Sequence, residues 1–331
     1  MKPPGPEGAE RRPRDRFGRA ASWLALAALA ALAAGGCSIK RLAINQLGDA
    51  LAAGGTTFAS DEDPELVRAA APFSLKLMES LLAESPSHLG LRLAAASGFT
   101  QYSYAFVQQQ AEELEGKDLD AATALRERAR RLYLRARAHG LRGLELRHAG
   151  LEDALRQNPK AAARALQPRD VPLMYWTAAA WAAAIALSKD NPELVAQAPS
   201  VEALMDRALE LDEAFDHGAL HSFMITYEMS RKQARGDAAE RSRRHFARAV
   251  ELSGGQQAAP FVALAEAVCV QKQDRAEFES LLKRAAAIDV NARPQWRLAN
   301  LVMQRRARWL LARVEDLILP PVPEEPKRPG N

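Results

Sequence analysis

Cysteine is almost absent from the chain, with only Cys37 and Cys269 among 331 residues. If Cys37 is used for anchoring, Cys269 is left alone and no intramolecular disulfide forms. Aromatic residues make up 6% of the sequence and β-branched residues are scarce, which argues against strands. Ala, Leu, Arg and Glu recur instead, so an all-α protein is predicted. No apolar run reaches the roughly 20 residues that span a bilayer as a helix. GxSxG, GxGxxG and P-loop patterns are missing, so no nucleophile elbow, dinucleotide fingerprint or phosphate cradle is present and no catalytic residue or cofactor is assigned. Basic residues do not form a stripe with interleaved aromatics, which excludes nucleic acid as the expected partner.

The net charge of +4 is unevenly placed. Ahead of Cys37, Lys2, Arg11, Arg12, Arg14, Arg16 and Arg19 face Glu7, Glu10 and Asp15, which accounts for +3 and leaves about +1 for the rest. Residues 1–22 are basic and rich in Pro and Gly, Trp23–Ala34 form an apolar run, and Ala34-Gly35-Gly36 precede Cys37. That order reads as an export signal, residues 1–36, cut before Cys37. The small residues ending in Cys resemble the lipobox of bacterial lipoproteins, with Ala34 where Leu is commoner. The resemblance implies acylation of Cys37 and a lipid-anchored body, each buried CH₂ contributing about 0.8 kcal/mol. Ser38 in place of Asp after Cys37 resembles enteric lipoproteins sorted to the outer membrane, and this implies its inner leaflet. The body is expected over residues 37–319, with a short helix near Leu42, Leu47 and Leu51 stopped at Gly54-Gly55. Proline at 320, 321, 323, 326 and 329 ends helical structure, so residues 320–331 are expected to be a disordered tail.

Inside the body, Asp63-Pro64, Asn191-Pro192 and Ser200 are predicted helix caps. The run Asp61, Glu62, Asp63 could hold a cation, but carboxylates at a helix start are explained by capping and the helix dipole. Phe261, Leu264, Ala265, Val268 and Cys269 follow helical spacing, which puts the Cys269 thiol on an apolar stripe. The stretches 77–99, 206–228, 247–269 and 283–305 share one form, a helix, a loop and a second helix. Aligning Ala208, Ala249 and Ala285 gives offsets of 41 and 36 residues. Such periods mark an irregular tetratricopeptide-like superhelix of helical hairpins. Residues 173–187, LMYWTAAAWAAAIAL, read as a central buried helix with Met174, Ala178, Trp181 and Ile185 on one face. In GFTQYSYAFVQQQ, Phe99, Tyr102 and Phe106 share a stripe while Tyr104 points elsewhere.

These aromatic segments have two readings. Phe99, Tyr102, Phe106, Tyr175, Trp176 and Trp181 are the candidate lining of a hydrophobic cleft. The other reading is that they are core, and at least half of them are expected there. Of the histidines only His217 and His221 have metal-like i, i+4 spacing, without the Glu of HExxH, so no metal site is assigned.

FASDEDPELVR, GFTQYSYAFVQ, VPLMYWTAAAWAAAIALSKDNPELVA and ALELDEAFDHGALHSFMITYE together resemble TatT, the tetratricopeptide-repeat lipoprotein family associated with some TRAP (tripartite ATP-independent periplasmic) transporters. The resemblance spans roughly residues 37–320 in the same order. It implies a helical periplasmic lipoprotein that forms homotrimers and docks the transporter's substrate-binding protein, TatP. It also implies help in passing a hydrophobic ligand, without catalysis. Gly254-Gly255-Gln256-Gln257 lengthen one turn relative to a regular repeat. The rival expectation, from the repeats alone, is a tetratricopeptide-like lipoprotein scaffold for envelope assembly.

Overall fold

Aspartate starts many of the helices. In the computed structural model Asp63 accepts hydrogen bonds from the backbone N–H of Glu65 at 2.9 Å and Leu66 at 3.1 Å, with Pro64 in the first turn. Asp118, Asp237 and Asp274 cap later helices in the same way, each cap contributing about 1 kcal/mol. Asp61 accepts from Asp63 N–H at 2.8 Å, so the acidic run is occupied with ordering a helix start. Asn191 also caps as expected, on Leu194 N–H at 3.1 Å. Ser200 does not: it lies inside a helix, and its hydroxyl donates to the Leu155 carbonyl at 3.0 Å. A buried Ser reaching another element has the same sequence signature as a cap.

The structure describes Met1 and residues 44–319 other than 54, 232 and 233. The export segment from residue 2 to 36, Cys37, Leu42 and the tail 320–331 lie outside the described residues. Two compact units are separated at Leu47/Gly48, and of the first only Met1 and residues 44–47 are described, the latter helical. In the second, the main helices are α1 Pro64–Glu84, α2 Leu89–Tyr102, α3 Gln109–Leu114, α4 Leu119–Glu145, α5 Val171–Ala186 and α6 Ala198–Leu211. They continue as α7 Ala219–Tyr227, α8 Ala238–Ser253, α9 Ala259–Leu264, α10 Arg275–Ala286 and α11 Arg297–Leu311. The helix widens into π-turns at Ser103–Gln108, between α2 and α3, and at Ala265–Cys269, after α9. No strand occurs among the described residues, so the fold is all-α. Each of the four aligned stretches is a helix, a loop and a helix, and left-handed Gly254 and Gly255 form the lengthened turn.

Packing explains the order. Helix α4 lies against α2 and α5, and two glycines let α5 approach: a Cβ at Gly140 would meet Thr177 Oγ1 at 2.0 Å, and one at Gly143 would meet Leu173 Cδ2 at 2.9 Å. Met174, Ala178 and Trp181 of α5 are fully buried and Ile185 half-buried, as expected of a central helix. A second core gathers Ile225, Phe261, Leu264, Phe278, Leu282 and Leu310 around the buried Cys269. Helix α11 then returns to the start of this unit. Arg297 Nη1 donates to the Ser60 carbonyl at 2.9 Å, and Arg305 Nη2 reaches Glu113 at 3.0 Å. Among the described residues no helix is long and apolar enough to cross a membrane.

Candidate functional site

The six candidate aromatics separate by burial. Phe99, Tyr102, Phe106 and Trp181 are buried, whereas Tyr175 and Trp176 are half-buried. Phe99 stacks on His139 with centroids 5.8 Å apart, and the Arg135 guanidinium lies 5.1 Å from the centre of its ring. His139 is itself held: Arg92 Nη1 approaches its Nδ1 at 3.2 Å and Glu79 its Nε2 at 3.2 Å. Because arginine only donates, Nδ1 accepts and the proton sits on Nε2, facing Glu79. The Tyr102 hydroxyl accepts from Arg128 at 3.4 Å, and its ring tilts onto Phe106 at 5.7 Å. Trp181 donates its indole N–H to Gln197 at 3.0 Å under the Arg137 guanidinium, 3.9 Å from the ring. Phe99, Tyr102 and Trp181 are therefore core, with their polar needs met inside the protein.

Tyr175 and Trp176 meet edge-on at 4.8 Å, and Tyr175 also touches Phe215 at 5.6 Å. Phe215 opens a turn in which Asp216, His217 and Gly218 have φ of 43°, 54° and 95°. Three consecutive left-handed residues, two of them not glycine, fold this turn back on itself. His217 then packs edge-on to Trp296 at 5.1 Å, so aromatic contacts run from α5 across the turn to the entrance of α11. Asp216 reaches solvent, yet burial pushes its carboxyl above the ordinary value.

Phe106 faces a different place. It lines an open groove with Ala105 and Gln109 on one side, Pro64 and Glu65 at the start of α1, and Leu301, Val302, Arg305 and Arg308 of α11. Arg306 of α11 ties the second π-turn to α3 through charge. Arg306 donates from Nη2 to Glu266 at 2.6 Å and lies 2.5 Å from Glu112 through Nη1. Glu112 accepts from Gln108 Nε2 at 2.9 Å, whose carbonyl accepts from the Tyr133 hydroxyl at 2.7 Å. Tyr104, on the first π-turn, points away from its aromatic neighbours as expected, and its hydroxyl donates to Met303 Sδ at 3.8 Å. Burial raises the Glu266 carboxyl above its usual range, with Arg306 opposing. Burial also works against the Arg306 guanidinium, and Glu266 and Glu112 more than offset it.

Sequence reasoning missed Gln109, Glu266, Arg306 and Arg308. The Gln108-Gln109-Gln110 run directly after an aromatic stripe was the available signal for the first of these. His217 and His221 are not brought together: His221 instead faces His245, Nδ1 to Nδ1 at 2.8 Å, with Glu213 at 3.2 Å from its Nε2. Among the described residues no three His, Cys, Asp or Glu side chains are placed to hold a metal ion. Burial, with Glu277 beside it, pushes the Cys269 thiol up to about 12, so it is not a nucleophile near neutral pH.

Comparison with known proteins places this arrangement. An uncharacterized protein of Treponema pallidum (strain Nichols) is 29% identical over 302 residues, covering 86% of this chain and 94% of that protein. Residues 60–318, which hold every helix described above from α1 to α11, match the model of the TRAP transporter T-component. The chain belongs to the TRAP transporter T-component family and is an accessory component of such a transporter.

Proposed function

We propose that this protein docks the substrate-binding protein of its TRAP transporter and helps to pass a hydrophobic ligand to or from it. The family match over residues 60–318 carries the reading. The half-buried Tyr175 and Trp176, joined through Phe215 and His217 to Trp296, supply an apolar wall suited to such a ligand. In this reading the helix–loop–helix units stack in the tetratricopeptide manner, an arrangement that gives a partner protein a concave face. The working form is a periplasmic homotrimer beginning at Cys37, whose acylated thiol anchors it to the inner leaflet of the outer membrane. Its role is binding and docking rather than catalysis.

The test is to isolate the protein from its own envelope in detergent after crosslinking, then to identify partner proteins and retained small molecules by mass spectrometry. A periplasmic substrate-binding protein is the expected partner. Repeated preparations without one would refute docking, and capture of outer-membrane assembly proteins in its place would favour an envelope scaffold. Intact mass tests the anchor, since a mature chain that retains residues before Cys37, or an unlipidated Cys37, contradicts it.

A further inference from the structure

We propose that the outer side of α4, with the adjoining Phe73 and Lys76 of α1, lies against a phospholipid surface of negative charge. Arg128, Arg131, Arg135 and Arg142 are all exposed and share that side of the helix, the later three at offsets of 3, 7 and 14 residues from the first. They form a line about 21 Å long, and no acidic residue interrupts it. Leu146, which ends α4 five turns after Arg128, is 45% exposed on the same side.

Counter-charge is scarce along this line. Glu79 of α1 serves Lys76 at 2.8 Å, Arg135, and His139 at 3.2 Å all at once. Arg128 is held by the Tyr102 hydroxyl at 3.4 Å and not by an acid. Arg131 and Arg142 have no carboxylate within ion-pair distance among the described residues. Behind them sits Arg92 of α2, only 7% exposed, bonded to the Pro86 carbonyl at 2.9 Å and to His139 at 3.2 Å but to no carboxylate. Burial works against the charge on Arg92, and the nearby Arg142 adds to it. A buried cation backed by a second cation is costly, and an anion arriving from outside relieves both.

The partner is a surface because the exposed cations are spread along a line rather than gathered at one point. Their planar forks suit phosphate groups. Apolar side chains stand beside them: Phe73 is 74% exposed one turn before Lys76, and Leu146 closes the arginine line. Guanidinium groups at the headgroups with an aromatic ring at the acyl boundary are the pairing of a bilayer interface. Chain connectivity agrees. The backbone at Gly48 packs on His88, and Asp49 meets the His88 ring at 3.3 Å, so the chain joins the body at the start of α2, one turn from Arg92. Gly48 follows Cys37 by eleven residues, a reach of at most about 40 Å. This last argument alone rests on the proposed acylation of Cys37.

The experiment sediments the full mature chain, residues 37–331 with Cys37→Ser so that no acyl chain is attached, with two kinds of vesicle. One is pure phosphatidylcholine, and in the other phosphatidylglycerol replaces a third of it. Binding is expected only to the second and should weaken as salt is raised. Arg131→Gln with Arg142→Gln should weaken it about 25-fold, about fivefold for each charge, while the Tm holds or rises because neither side chain has an acid to lose. Arg235→Gln with Arg244→Gln, which removes the same charge before and on α8, should leave binding unchanged. Phe73→Ser should weaken binding by a factor that does not change with salt. The proposal is overturned if the chain does not bind phosphatidylglycerol vesicles, if it binds phosphatidylcholine as well, or if the two double variants bind alike. It is equally overturned if vesicles are not bound while Arg131 and Arg142 hold a substrate-binding protein, or while inorganic phosphate saturates a site that Arg142→Gln removes. Intact mass tests the acylation of Cys37 separately, so the anchor and this face can fail independently.

Discussion

Acidification from about pH 7.5 to about pH 5 should destabilise the wild-type protein more than a His245→Gln variant, because His245 is held neutral in the folded state. Its Nδ1 lies 2.8 Å from Nδ1 of His221, and His221 Nε2 faces Glu213 at 3.2 Å. With the Nε2 proton of His221 directed at Glu213, His221 Nδ1 accepts and His245 Nδ1–H donates. A further proton on either ring must enter a crowded pocket. Burial depresses the His245 pKa first, then His221, with Arg244 and Arg231 adding to them and Glu228 opposing, and the result is about 4. Glu228 is 4.0 Å away and already engaged by Arg231 and Arg241, which limits its help. The unfolded chain, with an ordinary value near 6.5, takes up the proton first as the pH falls. Stability is therefore intact above about pH 6.5 and is lost progressively down to about pH 4. The full loss is about 3 kcal/mol, of which about 2 kcal/mol is gone at about pH 5. For a body of this size 2 kcal/mol corresponds to roughly 4–8 °C in Tm. Burial also lowers the pKa of His139 and His221, so both proteins weaken in acid and the comparison isolates His245. Thermal unfolding followed by circular dichroism at the two pH values measures the difference. If wild type and His245→Gln lose the same Tm, the account of the pair is wrong.

Gly140→Ala drives a methyl into Thr177 and should destabilise the protein by about 1–3 kcal/mol, read from urea unfolding, and an unchanged stability would refute the close approach of α4 and α5. Arg306→Met should cost about 3 kcal/mol, because Glu266 and Glu112 lose their shared cation, and Glu266→Gln in the same background should recover part of it. Asp63→Ala should cost about 1 kcal/mol, with Asp63→Asn close to wild type. Cys269 should react with a thiol reagent at about pH 8 only as fast as the protein opens, so a stabilised protein protects it further and denaturant exposes it.

Legibility in the sequence is local. Helix starts at Asp63 and Asn191 announce themselves within four residues, and the burial of Met174, Trp181 and Cys269 is readable from periodicity alone. Periodicity fails where the helix departs from 3.6 residues per turn. The two π-turns each rotate the next helical segment relative to the one before, and they turn Gln109 inward and bring Glu266 to Arg306. The separation of core aromatics from half-buried ones was equally invisible. Trp176 and Trp181 lie on one helix, and their burial is decided by elements such as Gln197 and Arg137 beside the latter. Pairings such as His221 with His245 and Arg305 with Glu113 join residues 24 and 192 positions apart, and no local rule reaches them.

The return of α11 to the start of the helical body also sets the timing of folding. An open array of repeats grows stable unit by unit as the chain emerges, and its last unit can be trimmed at little loss. Here Ser60 and Glu113 wait for Arg297 and Arg305, so the turn before α1 and helix α3 lack these partners until nearly the whole chain is available. A ribosome or a translocation channel that holds back the last thirty or so residues holds back closure of the body, and a truncation before α11 should behave as an unfinished protein rather than a shorter one.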